Sequence, residues 1–144
     1  MGYRASDYCI SIVALENDNF KYGMTCAWMM QVDYDKIVCL LGSESNTGNV
    51  IKIGSYVGVS TLSKNQGEIA LKFGDSHSKN VNKFKDVEFE NKNGAICIKH
   101  ASREMFCEVM DILSLKEIEE DKLIYLRIVE YKENNNEFLH YGDL

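Results

Sequence analysis

Proline is entirely absent from the 144 residues, and histidine occurs only three times. The lack of proline excludes proline-rich linkers, and it means that turns have to be built from Gly, Asn, Asp and Ser. Sixteen Lys and Arg residues against 22 Asp and Glu residues give a formal net charge of −6. Because such a chain repels phosphate backbones and carries no basic stripe interleaved with aromatic residues, nucleic-acid binding is not expected. No apolar run approaches the roughly 18 to 20 residues that a membrane-spanning helix needs.

Metal-binding and disulfide patterns are also missing. No CxxC, HExxH or Cys/His zinc spacing is present, so a metal site is not predicted. The cysteine count is odd and no export signal is recognisable, which predicts a cytoplasmic protein with reduced, mostly buried thiols. The five cysteines are Cys9, Cys26, Cys39, Cys97 and Cys107.

Alternation of apolar and polar residues predicts strands through most of the chain. The predicted strands cover residues 8–15, 20–32, 36–41, 55–62, 95–100, 106–115 and 122–131. The second is expected to be interrupted or bent near Gly23, and a bulge or close backbone approach is expected at Gly58. Two short helices are predicted over residues 47–53 and 63–73, each with a capping residue before it and a glycine after it. Residues 75–83 are a candidate for a further helical turn. The pattern predicts one domain over residues 1–144, a mainly β fold in which two or three short helices flank an antiparallel barrel.

Three segments carry residue types that suit a ligand site, although GxSxG, Walker A and GxGxxG motifs are all absent. Residues 23–29 place the single Trp beside Met and small residues, which suits either a pocket for a flat aromatic ligand or a core strand whose Trp fills the barrel. Residues 42–48 are rich in hydroxyl groups at a predicted helix start, which suits an anion or simple capping. Residues 60–66 suit hydrogen bonds to a heteroaromatic edge, or a capping box through Ser63 and Gln66.

Taken in order, these segments resemble the flavin reductase family, whose members have an FMN-binding split-barrel fold. The resemblance begins at residues 23–28 (GMTCAW), which are similar to the family's Gly-Met-Thr turn followed by small residues and Trp. It continues through residues 45–47, 55–66 and 70–74, then through Lys83-Phe84, Cys107 and residues 139–142. It therefore covers nearly the whole chain.

The resemblance implies a homodimeric split barrel that holds one FMN per subunit close to the dimer interface. Six residues would contact the isoalloxazine ring and upper ribityl chain: Met24, Thr25, Cys26, Ala27, Trp28 and Met29. Three would hold the phosphate or ribityl hydroxyls: Ser45, Asn46 and Thr47. Ser60, Thr61 and Leu62 would offer strand-end groups to the ring, with Gln66 and Phe73 nearby. Lys83 and Phe84 would close the pocket.

The implied activity is NAD(P)H-dependent flavin reduction, in which nicotinamide gives hydride to the flavin and the flavin passes electrons to a second acceptor. Such chemistry belongs to the cofactors, so no catalytic acid or base is expected from the protein. Two alternatives remain: a flavoredoxin-like FMN module that a protein partner reduces, and a structural barrel without a ligand. Glu120-Asp121-Lys122 stands where many family members carry Gly-Asp-His. This departure affects the expectation of reductase activity and does not affect the expectation of FMN binding.

Overall fold

The computed structural model describes residues 2–43, 45–74 and 82–144. Nine strands lie within these ranges: β1 Ser11–Asn17, β2 Phe20–Cys26, β3 Met29–Asp33, β4 Lys36–Leu41, β5 Tyr56–Thr61, β6 Phe89–Lys92, β7 Ala95–Ile98, β8 Arg103–Leu113 and β9 Lys122–Glu133. The α-helices there are α1 Asn46–Val50 and α2 Gly67–Phe73, and single 3-10 turns span Lys64–Gln66 and Tyr141–Asp143. The helical turn predicted over residues 75–83 falls for the most part outside the described ranges.

The antiparallel sheet closes on itself because β2 and β3 follow one another along the chain but pair with different strands. Strand β2 pairs with β1, whereas β3 pairs with β4. From β4 the ladder continues through β9, β8 and β5 and returns to β1. We call the two residues between β2 and β3, Ala27 and Trp28, the seam. The Leu40 N–H donates to the Trp28 carbonyl at 3.0 Å, which fastens the seam to β4. The mainly β fold with short flanking helices is therefore confirmed.

Strand β1 contributes to two separate cores, because its successive side chains point to opposite faces of the sheet. Val13 and Leu15 face the inner core, inside the barrel. Ile12 and Ala14 face the outer core, which α2 and β7 cover from outside with Phe73 and other apolar side chains. In the described part of the chain, every helix is too short or too polar to cross a membrane.

Several predicted boundaries are wrong. The strand predicted over residues 20–32 is broken at the seam rather than near Gly23, which lies inside β2. The first helix ends at Val50 instead of residue 53, because Ile51 adopts an extended conformation and turns into the inner core. The second is a 3-10 turn followed by α2. Strand β6 was not predicted, although Asn93 and Gly94, with φ values of 56° and 97°, form the turn that joins it to β7.

The outer core requires a glycine at position 58. A Cβ atom on Gly58 would lie 1.9 Å from the carbonyl oxygen of Ile96, which belongs to the backbone of β7. Backbone cannot rotate away as a side chain can, so any side chain at this position would push β5 and β7 apart. The close backbone approach predicted for Gly58 is thus present.

We expect the substitution Gly58→Ala to lower the free energy of unfolding by about 3 kcal/mol or more, because one of the two strands has to move. Urea denaturation followed by circular dichroism measures this. The control is Gly42→Ala, whose added methyl meets no atom within 4 Å and should change stability by less than about 0.5 kcal/mol. An unchanged unfolding midpoint in Gly58→Ala would contradict the packing described here.

Candidate functional site

The predicted ligand segment at residues 24–29 spans the seam, and its side chains diverge there. Met24 and Met29 pack against the inner core, and Cys26 is buried within it. Thr25 points the other way, where its Oγ1 donates to the Ala70 carbonyl of α2 at 2.5 Å. The side chain of Trp28 is 58% exposed, so the interpretation that this Trp fills the barrel is wrong. The seam therefore presents an aromatic ring to the outside while sulfur-containing side chains line the inside.

Ser45 connects the second predicted segment to the first. Its Oγ accepts a hydrogen bond from the Gly48 N–H at 3.0 Å and donates to Met24 Sδ at 2.9 Å. The predicted capping role is confirmed, since this serine is the N-cap residue of α1. Asn46 is exposed and Thr47 is buried. The start of α1 and the end of β2 thus form one continuous surface.

The third predicted segment lies one strand away from the seam. Ser11 of β1 pairs with Cys26 on one side and with Thr61 on the other, so all three side chains share the inner face. Ser60 points to the opposite face, where its Oγ accepts a hydrogen bond from the Ile98 N–H at 2.8 Å. Ser60 and Thr61 are both buried. They can shape the site from behind rather than reach into solvent.

Gln66 already uses its amide group within the fold. Its Oε1 accepts from the Ser63 N–H at 2.9 Å, which completes the predicted capping box. Its Nε2 donates to the Lys99 carbonyl at 3.0 Å. The side chain is buried, so little of the amide is accessible to a ligand.

The remaining predicted residues belong to the outer core. The rings of Phe73 and Phe84 meet edge to face with centroids 5.0 Å apart, and Leu62 is buried in the same core. Lys83 Nζ donates to the carbonyls of Phe73 and Gly23, at 3.1 and 3.3 Å. The structure therefore separates the sixteen predicted residues into an inner group around Met24, Cys26 and Ser45 and an outer group around Phe73.

A pair of thiols was missed by the sequence analysis because Cys39 is distant from Cys26 along the chain. The two thiols share a hydrogen bond in the inner core, and it lowers the pKa of Cys26 while raising that of Cys39, which burial raises further. Burial also raises the pKa of Cys97, to about 12. All five cysteines are free thiols, as predicted. Among the residues that the structure describes, no group of three or more His, Cys, Asp or Glu side chains is placed to hold a metal ion.

Two further residues touch the segment that includes Ser45. The Ser43 N–H donates to Asp121 Oδ1 at 3.0 Å, and Lys122 Nζ donates to the Gly48 carbonyl at 2.9 Å. The sequence marked Asp121 and Lys122 only as a departure from a family pattern. Their spatial proximity to residues 43–48 follows from the pairing of β4 with β9, in which Leu41 lies opposite Lys122.

We expect Ser45→Ala to lower the free energy of unfolding by about 1 kcal/mol, because α1 loses the hydroxyl that caps it. Thermal and urea unfolding measure this loss. Ser43→Ala is the matched control, since Ser43 contacts Asp121 through its backbone and keeps that bond in the variant. Equal stabilities of the two variants would show that the cap contributes nothing.

Comparison with known proteins extends over nearly the whole chain. The model of the flavin reductase like domain matches residues 4–143. NADH:FAD oxidoreductase SgcE6 of Streptomyces globisporus C-1027 has a similar structure, with a TM-score of 0.81 and 17% identity over 92% of this chain and 80% of that one. Flavin reductase PheA2 gives a TM-score of 0.78 and 19% identity over 92% of this chain and 84% of that one.

A longer protein of Sinorhizobium meliloti 1021, assigned provisionally as an oxidoreductase, gives a TM-score of 0.84 at 16% identity. It matches 95% of this chain, but this chain spans only 47% of its length. No curated protein sequence matches the chain. At these identities the solved structures establish a shared fold, and the match of the domain model from residue 4 to residue 143 establishes the family. The chain belongs to the flavin reductase-like domain family.

Proposed function

We propose that the chain is an FMN-binding flavin reductase, which takes hydride from NADH or NADPH and passes electrons to a second acceptor. The observation that carries this proposal is the match of the flavin reductase like domain to residues 4–143. A structure of SgcE6, which resembles this chain at 16% identity, is a complex with NAD and FAD fragments. That complex supports the choice of a flavin and a nicotinamide as the two ligands.

The residues around the seam fit a flavin in their chemistry. Trp28 is exposed, and Met24, Ala27 and Met29 are half-buried, so polarisable and apolar groups are available to a flat ring. Ser45 Oγ lies 2.9 Å from Met24 Sδ. The residues proposed to bind the ring are therefore next to those proposed to bind the phosphate or ribityl hydroxyls. In this proposal Met24 to Met29 hold the ring, and Ser45, Asn46 and Thr47 hold the phosphate or ribityl hydroxyls.

The proposed roles of the outer group and of the buried residues at the end of β5 are indirect. Thr61, Ser60 and Leu62 are buried at the end of β5, and Phe73 and Phe84 are buried in the outer core. They support the strands that carry the ring-binding segment, while Gln66 and Lys83 fix the backbone through their hydrogen bonds. The bound flavin supplies the hydride and electron chemistry. The protein's own residues bind the ring, orient it and exclude water from one side of it.

A specific observation favours a second function, an FMN module without turnover of its own that a redox protein reduces. The residues at the position of the family's Gly-Asp-His are Glu120, Asp121 and Lys122. The side chains of Asp121 and Lys122 are engaged with the backbone of residues 43–48. If the family's His acts on the nicotinamide, this chain lacks that group.

We expect the purified protein to carry FMN and to be yellow, and we expect its flavin absorbance to bleach when NADH or NADPH is added without air. A visible spectrum before and after each addition measures this. Bleaching by a nicotinamide supports the reductase, whereas bleaching only with a reduced protein partner supports the electron-transfer module. A protein that stays colourless after incubation with FMN contradicts both functions.

We further propose that two copies of the chain associate through one side of the barrel. Met30, Val38, Leu40, Leu113 and Leu123 form what we call the outer apolar face, since each is paired across β3, β4, β9 or β8 with another member. Their neighbours along these strands, such as Cys39 and Ile124, point into the inner core. Contiguous apolar surface of this kind usually marks an interface. Trp28 adjoins this face, which brings the proposed ring site close to the second copy.

We expect Met30→Glu to convert the dimer into monomers, because it buries a charge in the proposed interface. Met30 is 62% exposed in a single chain, so the substitution should leave the folded barrel intact. Sedimentation velocity measures the oligomeric state. The control is Tyr34→Glu, which adds the same charge to a side chain that is 96% exposed on the turn between β3 and β4. A wild-type protein that sediments as a monomer at every concentration would contradict the proposal.

A further inference from the structure

We propose that Asp121 and Lys122 are positioning residues, which hold the backbone of Ser43 and Gly48 in place and thereby raise the affinity for the phosphate end of the flavin. The identity of the ligand rests on the function proposed above. The two hydrogen bonds that Asp121 and Lys122 form are present in the structure whatever the ligand is.

The geometry holds residues 43–48 at both ends. Asp121 Oδ1 accepts from the Ser43 N–H at 3.0 Å, and Lys122 Nζ donates to the Gly48 carbonyl at 2.9 Å. The two side chains come from adjacent residues, at the end of the loop between β8 and β9 and at the first position of β9. Lys122 is paired with Leu41 in the ladder of β4 and β9, so its backbone is fixed where the segment begins.

Both contacts are of a strong kind. A carboxylate that accepts from a backbone N–H, and an ammonium that donates to a carbonyl, form charge-assisted hydrogen bonds. The Gly48 carbonyl belongs to the short helix α1, where a cation interacts favourably with carbonyl groups that lack a partner further along the helix. Lys122 is half-buried and Gly48 is buried, which limits screening of their contact by solvent, whereas Ser43 is exposed and its bond to Asp121 lies at the surface.

This restraint has a consequence for binding because of what residues 43–48 carry. Ser45, Asn46 and Thr47 lie between the two restrained ends, and the present proposal assigns them to the phosphate rather than to the ribityl hydroxyls. A segment that is already ordered loses less conformational entropy when it binds a ligand. Lys122 places a positive charge beside this segment and Asp121 a negative one, so the two charges largely offset each other and the expected effect comes from the restraint. Losing either contact should therefore weaken binding of a phosphorylated ligand in particular.

The experiment compares FMN with riboflavin, which has the same ring and no phosphate. Dissociation constants are measured by quenching of flavin fluorescence for the wild type, Asp121→Ala, Lys122→Met and Lys122→Arg. In parallel, hydrogen exchange of the ligand-free proteins is followed by mass spectrometry in peptides that cover residues 42–50. We expect Asp121→Ala and Lys122→Met to raise the dissociation constant for FMN about tenfold and to leave that for riboflavin within about twofold. Lys122→Arg should retain most of the affinity for FMN.

Matched controls separate the contacts from net charge. Glu120→Ala removes one carboxylate next to Asp121, and Lys116→Met removes one ammonium from the same loop, so each changes the net charge as its counterpart does. Both should bind FMN as the wild type does. Equal losses for FMN and riboflavin, or an FMN affinity unchanged in both variants, would overturn the proposal.

Hydrogen exchange keeps the failure of the flavin function distinguishable from the failure of the restraint. We expect exchange in the peptides covering residues 42–50 to become about tenfold faster in Asp121→Ala and Lys122→Met. If the wild type binds neither FMN nor riboflavin, the proposed function fails, and the affinity part of the present proposal fails with it. Exchange rates that match the wild type in both variants would show that the two residues do not hold the segment.

Discussion

The fold depends on the double role of β1. Its side chains supply both cores, and its two edges pair with β2 on one side and with β5 and β7 on the other. Ser11 to Leu15 are all buried, so a shift of this strand would disturb both cores. Because β2 and β5 carry the predicted ligand segments, β1 also sets the distance between them. The architecture of the candidate site is thus a direct result of how one strand is shared.

The close contact between β5 and β7 shows how little freedom this arrangement leaves. Strand β5 has to pass beside the backbone of β7, and only a residue without a side chain permits that approach at position 58. On the other side of β1, Gly23 gives space to the ring of Phe73, whose nearest atom would lie 2.6 Å from an added Cβ. Two glycines, one on each of the strands that flank β1, therefore allow the outer layer to pack directly on the barrel.

The fold class could be predicted from the sequence because alternation survives in strands such as β2, where Tyr22, Met24 and Cys26 are separated by Gly23 and Thr25. The break at the seam could not be predicted, because a change of partner strand leaves no local mark in the sequence of residues 24–29. Strand β6 lacks apolar alternation, although its Asn-Gly turn was a usable signal. Capping by Ser45 and Gln66 was predictable because both depend on residues three positions apart.

The candidate site was predictable as a set of segments but not as a surface. Which side chains of different strands lie side by side depends on the register between the strands, and that register brings Cys26 and Thr61 to either side of Ser11. The contacts of Asp121 and Lys122 with residues 43–48 join parts of the chain more than 70 residues apart. The periodicity of the sequence cannot predict contacts between residues that are so far apart along the chain.

The exposed position of Trp28 has a practical consequence for studying this protein. It is the only tryptophan in the chain, so near-ultraviolet emission excited at long wavelength originates from the seam alone. Its environment changes whenever a chromophore stacks on it or another subunit covers it. The chain therefore contains an intrinsic fluorescent probe at the seam, where β2 ends and β3 begins.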